Sequence, residues 1–177
     1  MLKHKDQRVG VFIDVQNMYY SARNLYGARV NFGSILEQAV AGRKLIRAIA
    51  YVIKAEAPEE AKFFEALDKQ GFELKMKDLQ VFVGGAKKGD WDIGIAIDAI
   101  SMAPKLDAIV LVTGDGDFVP LVQFLQFLGQ RVEVIAFGDT VSNKLVEQAD
   151  DYFDLTTQLN KFLFRSGLAT KTKPGKK

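Results

Sequence analysis

Residues Asp107–Leu121 read DAIVLVTGDGDFVPL, and this stretch constrains the fold more than any other. Ile109–Val112 is an unbroken apolar run, the pattern of a strand buried on both faces in a parallel sheet between helices. It halts at Thr113-Gly114-Asp115-Gly116-Asp117, where two carboxylates alternate with two glycines. The glycines are expected to give a sharp turn in backbone conformations closed to other residues. Phe118, Leu121, Val122, Leu125 and Leu128 then recur at helical spacing, with Asp117 expected as N-cap and Gly129 as the stop. Two acids thus stand at the carboxyl end of a central strand, the edge where open α/β sheets bind their ligands.

A second strand repeats the pattern. Val9–Asp14 (VGVFID) also ends in a carboxylate, with Asn17 following and a helical segment from Met18 to Arg23. In a parallel sheet both strand ends share an edge, so Asp14 and Asp115 are expected to converge. Further strands are expected at Lys44–Lys54, within Phe72–Val83, at Arg131–Phe137 and at Tyr152–Leu155. Helices are expected at Asn31–Ala41, with Ser34 and Glu37 spaced as a capping box, and at Glu59–Gln70. Three more are expected at Asp90–Met102, from Ser142 to Ala149, and at Thr157–Phe164. In Asp90–Met102 the inward face is read as Ile93, Ile97 and Ile100, with Asp90 as the cap. Gly84–Gly89 reads as a mobile, basic connection. This alternation predicts an α/β chain folded as a three-layer α/β/α sandwich with a mostly parallel central sheet. One domain over residues 8–165 is expected between a polar leader, 1–7, and a basic, disordered tail, 166–177.

Composition narrows the chemistry. There is no cysteine, which removes disulfides, thiolate metal sites and cysteine nucleophiles. The single histidine, His4, lies in the polar leader, so acid–base work and metal ligation fall to carboxylates. No apolar run is long enough for a membrane span, and the start MLKHKDQR lacks a signal-peptide core, so a cytoplasmic protein is expected. From Lys161 onward there are six basic residues and no acidic one; removing them from the net +2 leaves the first 160 residues at −4. Such a tail is either a solvated end or a phosphate-seeking arm.

Asp14, Asp115 and Asp117 fall at strand ends and Asp92 near a helix start, and an all-carboxylate cluster suits a hard cation, Mg²⁺ or Mn²⁺. Without a cation such acids could not all stay ionised. At about 100° per residue, Asp98 lies roughly 120° round the helix from Asp92 and about 9 Å along it. Asp92 is therefore read as the ligand and Asp98 as an acid behind it. Lys87 and Lys88 are candidates for a substrate phosphate, and Ser142 for a phosphate at a helix start. Trp91, Tyr19 and Tyr20 either anchor in the core or stack on bases, core anchoring being the commoner role for such a tryptophan.

FIDVQN (Phe12–Asn17), KKGDWDIGIAID (Lys87–Asp98) and VTGDGDFVPL (Val112–Leu121) together resemble the signature of NYN domains in the PIN-like nuclease superfamily. The segment FGDTVSNKLVEQADDYF (Phe137–Phe153) is similar to their LabA-like bacterial branch. The resemblance spans residues 8 to about 155. It implies a parallel-sheet fold, a carboxylate site for Mg²⁺ or Mn²⁺, and hydrolysis of RNA. Position by position, it implies Asp14, Asp92, Asp115 and Asp117 as catalytic metal-site acids, Asn17 beside them, and Asp98 as a further acid. The alternative is a non-catalytic regulator of that branch, binding RNA or a protein partner; a homo-oligomer is compatible with either reading. Gly114–Asp117 also resembles a motif of haloacid-dehalogenase-like phosphatases, but those need a second aspartate two residues after the nucleophile. Asp14 is followed by Val15 and Gln16.

Overall fold

A computed structural model describes residues 3–55, 57–85 and 87–164. The tail expected over 166–177 lies outside the described residues. The chain opens with β1 (Arg8–Asp14), α1 (Val15–Tyr26), β2 (Arg29–Val30) and α2 (Phe32–Val40). Next come β3 (Lys44–Lys54), α3 (Glu60–Lys69), β4 (Glu73–Asp78), β5 (Gln80–Val81) and β6 (Lys87–Lys88). α4 (Asp92–Met102), β7 (Ala108–Val112), α5 (Val119–Phe127) and β8 (Arg131–Ala136) build the second half. It closes with α6 (Asn143–Gln148), β9 (Asp151–Asp154), α7 (Leu159–Phe162) and β10 (Leu163–Phe164).

Six strands form one sheet in the order β4-β3-β1-β7-β8-β9, parallel at every pairing. Chain order reverses between β1 and β7, so the sheet is doubly wound and its switch point lies there. All five residues of β7 are fully buried, as the apolar run requires. Its side chains alternate between two cores. Ala108, Val110 and Val112 join the core beneath α1, α2, α3 and α7; Ile109 and Leu111 join the core beneath α4, α5 and α6. The three-layer α/β/α sandwich is the observed architecture.

Several local expectations are corrected. Asn31, not Ser34, caps α2, its side chain accepting from the Ser34 N–H at 3.1 Å. Asp115, not Asp117, caps the turn that opens the helix after β7: it accepts from the Asp117 N–H at 2.9 Å across a 3₁₀ turn, Gly116–Phe118, and α5 starts only at Val119. Asp90 is not a cap, because α4 starts at Asp92 with Trp91 in the cap position and no side-chain cap bond. Ser142 occupies the cap position of α6 but makes no cap bond with its side chain. Gly84–Gly89 includes β6, which pairs antiparallel with β5 as a short hairpin rather than forming a plain connection. Thr157–Phe164 is not one helix: a 3₁₀ turn (Leu155–Gln158) leads into α7, and β10 then pairs with β2. Most consequentially, Ile93, Ile97 and Ile100 face outward, and the inward face of α4 is Ile95, Ala99 and Met102.

Candidate active site

β1 and β7 are direct neighbours, Ile13 beside Val112, so the chain leaves both strands at one point on the carboxyl edge. Asp14 is the last residue of β1 and the N-cap of α1, accepting from the Asn17 N–H at 3.1 Å. Asn17 in turn accepts from the Gly114 N–H at 2.9 Å through its side-chain oxygen. One asparagine therefore couples the two strand ends. Thr113 completes the frame, its hydroxyl donating to Asp14 at 3.4 Å and accepting from the Asp115 N–H at 3.3 Å.

The glycines of this loop serve a different end from the one expected. Neither Gly114 nor Gly116 has a left-handed φ. A Cβ on Gly116 would lie 2.7 Å from the Ser142 hydroxyl oxygen, and one on Gly114 would lie 3.2 Å from the Val141 Cα. Absence of a side chain lets the Val141–Ser142 segment close over the loop, where the Ser142 N–H donates to the Gly114 carbonyl at 2.9 Å.

α4 delivers the next acid from its first turn. Asp92, Asp115 and Asp117 each bring a carboxylate oxygen to within 4.8 Å of the others. Asp14 stands outside that trio but close enough to interact with it. Its pKa rises to about 6, chiefly because it is buried and further because Asp92 and Asp115 are near, against the Asn17 N–H that favours its charge. Asp92 is also raised, by burial first and then by Asp115, Asp90 and Asp117, with Lys77 opposing. Among the described side chains no lysine or arginine makes an ion pair with any of the four. An all-oxygen donor set fits a hard cation, and the three carboxylates of Asp92, Asp115 and Asp117 could bind a metal ion.

Over the acids lies an open cleft of about 360 Å³, with Asp14, Asp92 and Asp115 on its lining. The sequence holds a stretch from residue 8 to residue 156 that matches the NYN domain family. This protein belongs to the NYN domain family. It is similar to the low amplitude and bright protein LabA of Synechococcus elongatus, 27% identical over 160 residues, 85% of each chain. That likeness sets it in the LabA-like branch. An uncharacterised protein of Methanocaldococcus jannaschii is 29% identical over 82% of this chain, which spans only 54% of that relative. In structure it resembles a Vibrio parahaemolyticus protein of unknown function, with TM-score 0.83 at 32% identity, covering 93% of this chain and 100% of the other.

The remaining candidates of this NYN domain fall in three places. Trp91 is anchored, its indole N–H donating to the Val52 carbonyl at 2.9 Å and its ring 5.3 Å from that of Tyr51. Its ring also lies against Gly94, where a Cβ would approach within 2.5 Å, and Trp91 is among the residues that line the cleft. Asp98 makes its bonds away from the acids, accepting from the Tyr51 hydroxyl and the Lys75 ammonium, both at 2.7 Å. Burial and that bond push the Tyr51 pKa well above the ordinary phenol range. Lys87 and Lys88 sit on β6, and Ser142 stands behind the Gly114–Gly116 loop.

Two features escaped the sequence reading. Gln16 and Asn24, at i−4 and i+4 from the stacking candidate Tyr20, join it in one polar stripe of α1 on the cleft, a helical spacing visible in the sequence. Lys77 lies over the Trp91 ring at 4.2 Å and donates to the Asp90 carbonyl at 3.2 Å. Strand alternation puts Lys75 and Lys77 on one face, which was the available signal.

Proposed function

We propose that this NYN domain is a ribonuclease, hydrolysing phosphodiester bonds of single-stranded RNA with Mg²⁺ or Mn²⁺ held by Asp92, Asp115 and Asp117, and Asp14 beside them. The observation that carries this reading is a set of close carboxylates, at the switch point of the sheet, that make no ion pair with lysine or arginine among the described side chains. Bound there, a divalent ion would supply an activated water and neutralise charge at the leaving oxygen. The chain's own residues do the rest. Asp14, held by the Asn17 N–H and Thr113, orients the water and takes its proton. Lys77, which lies over the Trp91 ring, is assigned to the phosphates together with Lys87 and Lys88, and Tyr20, which lines the cleft with Trp91, is assigned to a base. Asn17 keeps both acid-bearing strand ends in register.

The test is cleavage of mixed-sequence single-stranded RNA with Mn²⁺ or Mg²⁺ by wild type, Asp14→Asn and Asp115→Asn, with an EDTA control. Each substitution should lower the rate at least ~100-fold, the scale that even partners of metal ligands command. Circular dichroism should show both variants folded. RNA that is bound yet never cut under either metal would overturn the hydrolase and leave a binding protein.

A further inference from the structure

The outward face of α4 and α5 has unusual chemistry. Ile93, Ile97 and Ile100 follow at i, i+4 and i+7, with Ile93 exposed to 73% and Ile97 to 58%. On the neighbouring helix Phe124 and Phe127, and the C-cap residue Leu128, are exposed too, Phe127 to 85%. The helices lie on the same side of the sheet, α4 against β1 and α5 against β8, and both pack on the Gly116–Phe118 turn. They share one core through Ile95, Ala99, Leu121 and Leu125.

Neither helix supplies a charge to this surface. Across the eleven residues of α4 and the nine of α5, the ionisable side chains are Asp92 and Asp98 alone. Asp92 joins the acidic trio, and Asp98 is held by Tyr51 and Lys75. By contrast α3, on the opposite layer, carries Glu60, Lys62, Glu65, Asp68 and Lys69. A helix with an apolar stripe facing away from its own core is one that something covers. At roughly 200 Å² for a large apolar side chain, the six exposures leave on the order of 700 Å² bare, more than an isolated domain ordinarily shows. That approaches the ~800 Å² each partner gives to a standard interface.

We propose that this protein is a homodimer, joined by the α4–α5 face of one copy against the same face of a second. A two-fold interface sets a patch against itself, so the patch must complement itself, and a charge near the axis would meet its like. A patch of isoleucine, phenylalanine and leucine meets itself without that penalty, and it offers no charge pattern for a different partner to match. Depletion of charge with aromatic enrichment is also the composition of interface cores. This inference is independent of the chemistry proposed for the cleft.

Sedimentation velocity on the full chain at micromolar concentrations tests it. Wild type should sediment at twice the 19.7 kDa of one chain. Ile97→Lys and Phe127→Lys should each raise the dimer dissociation constant at least ~30-fold, as loss of a central anchor does. Phe127 is so exposed that its substitution leaves the monomer fold intact, which circular dichroism checks. Phe82→Lys, an equally conspicuous apolar site on the β5–β6 hairpin, should leave the dimer unchanged. A monomeric wild type, or a dimer that withstands both α4 and α5 substitutions, overturns the proposal.

Discussion

At the amino edge of the sheet, Glu133 is only 3% exposed, yet both its oxygens are satisfied by arginine. Arg43 donates to them at 2.8 and 2.9 Å, and Arg131 adds a third bond at 2.9 Å. The remaining Arg43 donors reach the Val40 and Ala39 carbonyls. At the carboxyl edge, Asp14 is half-buried beneath the cleft, but its neighbours are Asp92 and Asp115. One edge buries a carboxylate with its counter-charge; the other gathers carboxylates that make no ion pair among the described side chains. The titration of the two acids runs in opposite directions. Burial would raise the Glu133 pKa, but the bonds from Arg43 and Arg131 outweigh it and leave the pKa lowered. Its stabilising effect is present above its ordinary value near 4.5 and is lost on acidification. Asp14, raised from 3.8 to about 6, stabilises below 3.8 and loses that contribution as pH rises through 6. Folding is secured at the first edge and strained at the second, which is where a cation has something to gain.

The largest effect should come from breaking the paired edge. Arg43→Met strands Glu133 without its main partner and should cost about 3–5 kcal/mol. Urea unfolding at pH 7 measures it. The double variant Arg43→Met with Glu133→Leu should recover most of the loss, since an apolar pair of similar size needs no counter-charge. A single variant as stable as wild type would mean that this edge does not hold the fold.

The unpaired edge should respond with the opposite sign. Asp14→Asn keeps the cap on α1, because asparagine accepts the same N–H, and it removes a charge from a repelling set. In chelator at pH 8 it should gain up to about 3 kcal/mol over wild type, from the shift between 3.8 and about 6. The gain should fade below pH 4, where Asp14 is protonated in folded and unfolded chains alike. A variant less stable than wild type at pH 8 would show that Asp14 serves structure rather than the site.

The sequence carried much of this contrast. Two apolar strands ending in aspartate, in a chain without cysteine and with one histidine, located the carboxyl edge and its acids. Strand Lys44–Lys54 has the bounds expected of it. The failures have physical causes. α4 is apolar on both sides, so its period could not tell the buried stripe from the bare one. β2 and β10 have two residues each, too few for any period. The GDGD run offers two acids for one cap, and loop closure over Gly114 and Gly116 decided between them. Arg43 and Glu133 lie 90 residues apart, and nothing local announces their pairing.

The smallest effect is the one that separates pairing from burial. Arg8 and Asp107 also stand at the amino edge, where β1 begins and the chain enters β7. Their bonding is as complete as that of Glu133: the Arg8 guanidinium donates to both Asp107 oxygens at 2.9 and 3.0 Å, and its backbone N–H donates at 2.7 Å. These bonds hold the Asp107 pKa at about 2. Its contribution is present above 3.8 and lost only as pH falls through 2, so neutral conditions retain all of it. Both side chains are well exposed, however, at 47% and 39%, and water screens an exposed pair. Arg8→Ala should therefore raise the Asp107 pKa toward its ordinary value, as read by NMR titration of the carboxyl. The thermal midpoint at pH 7 should scarcely move. If it falls as far as in Arg43→Met, geometry rather than burial sets the strength of these pairs. In that case the raised pKa of Asp14 would need a cause other than the one that contrasts it with Glu133.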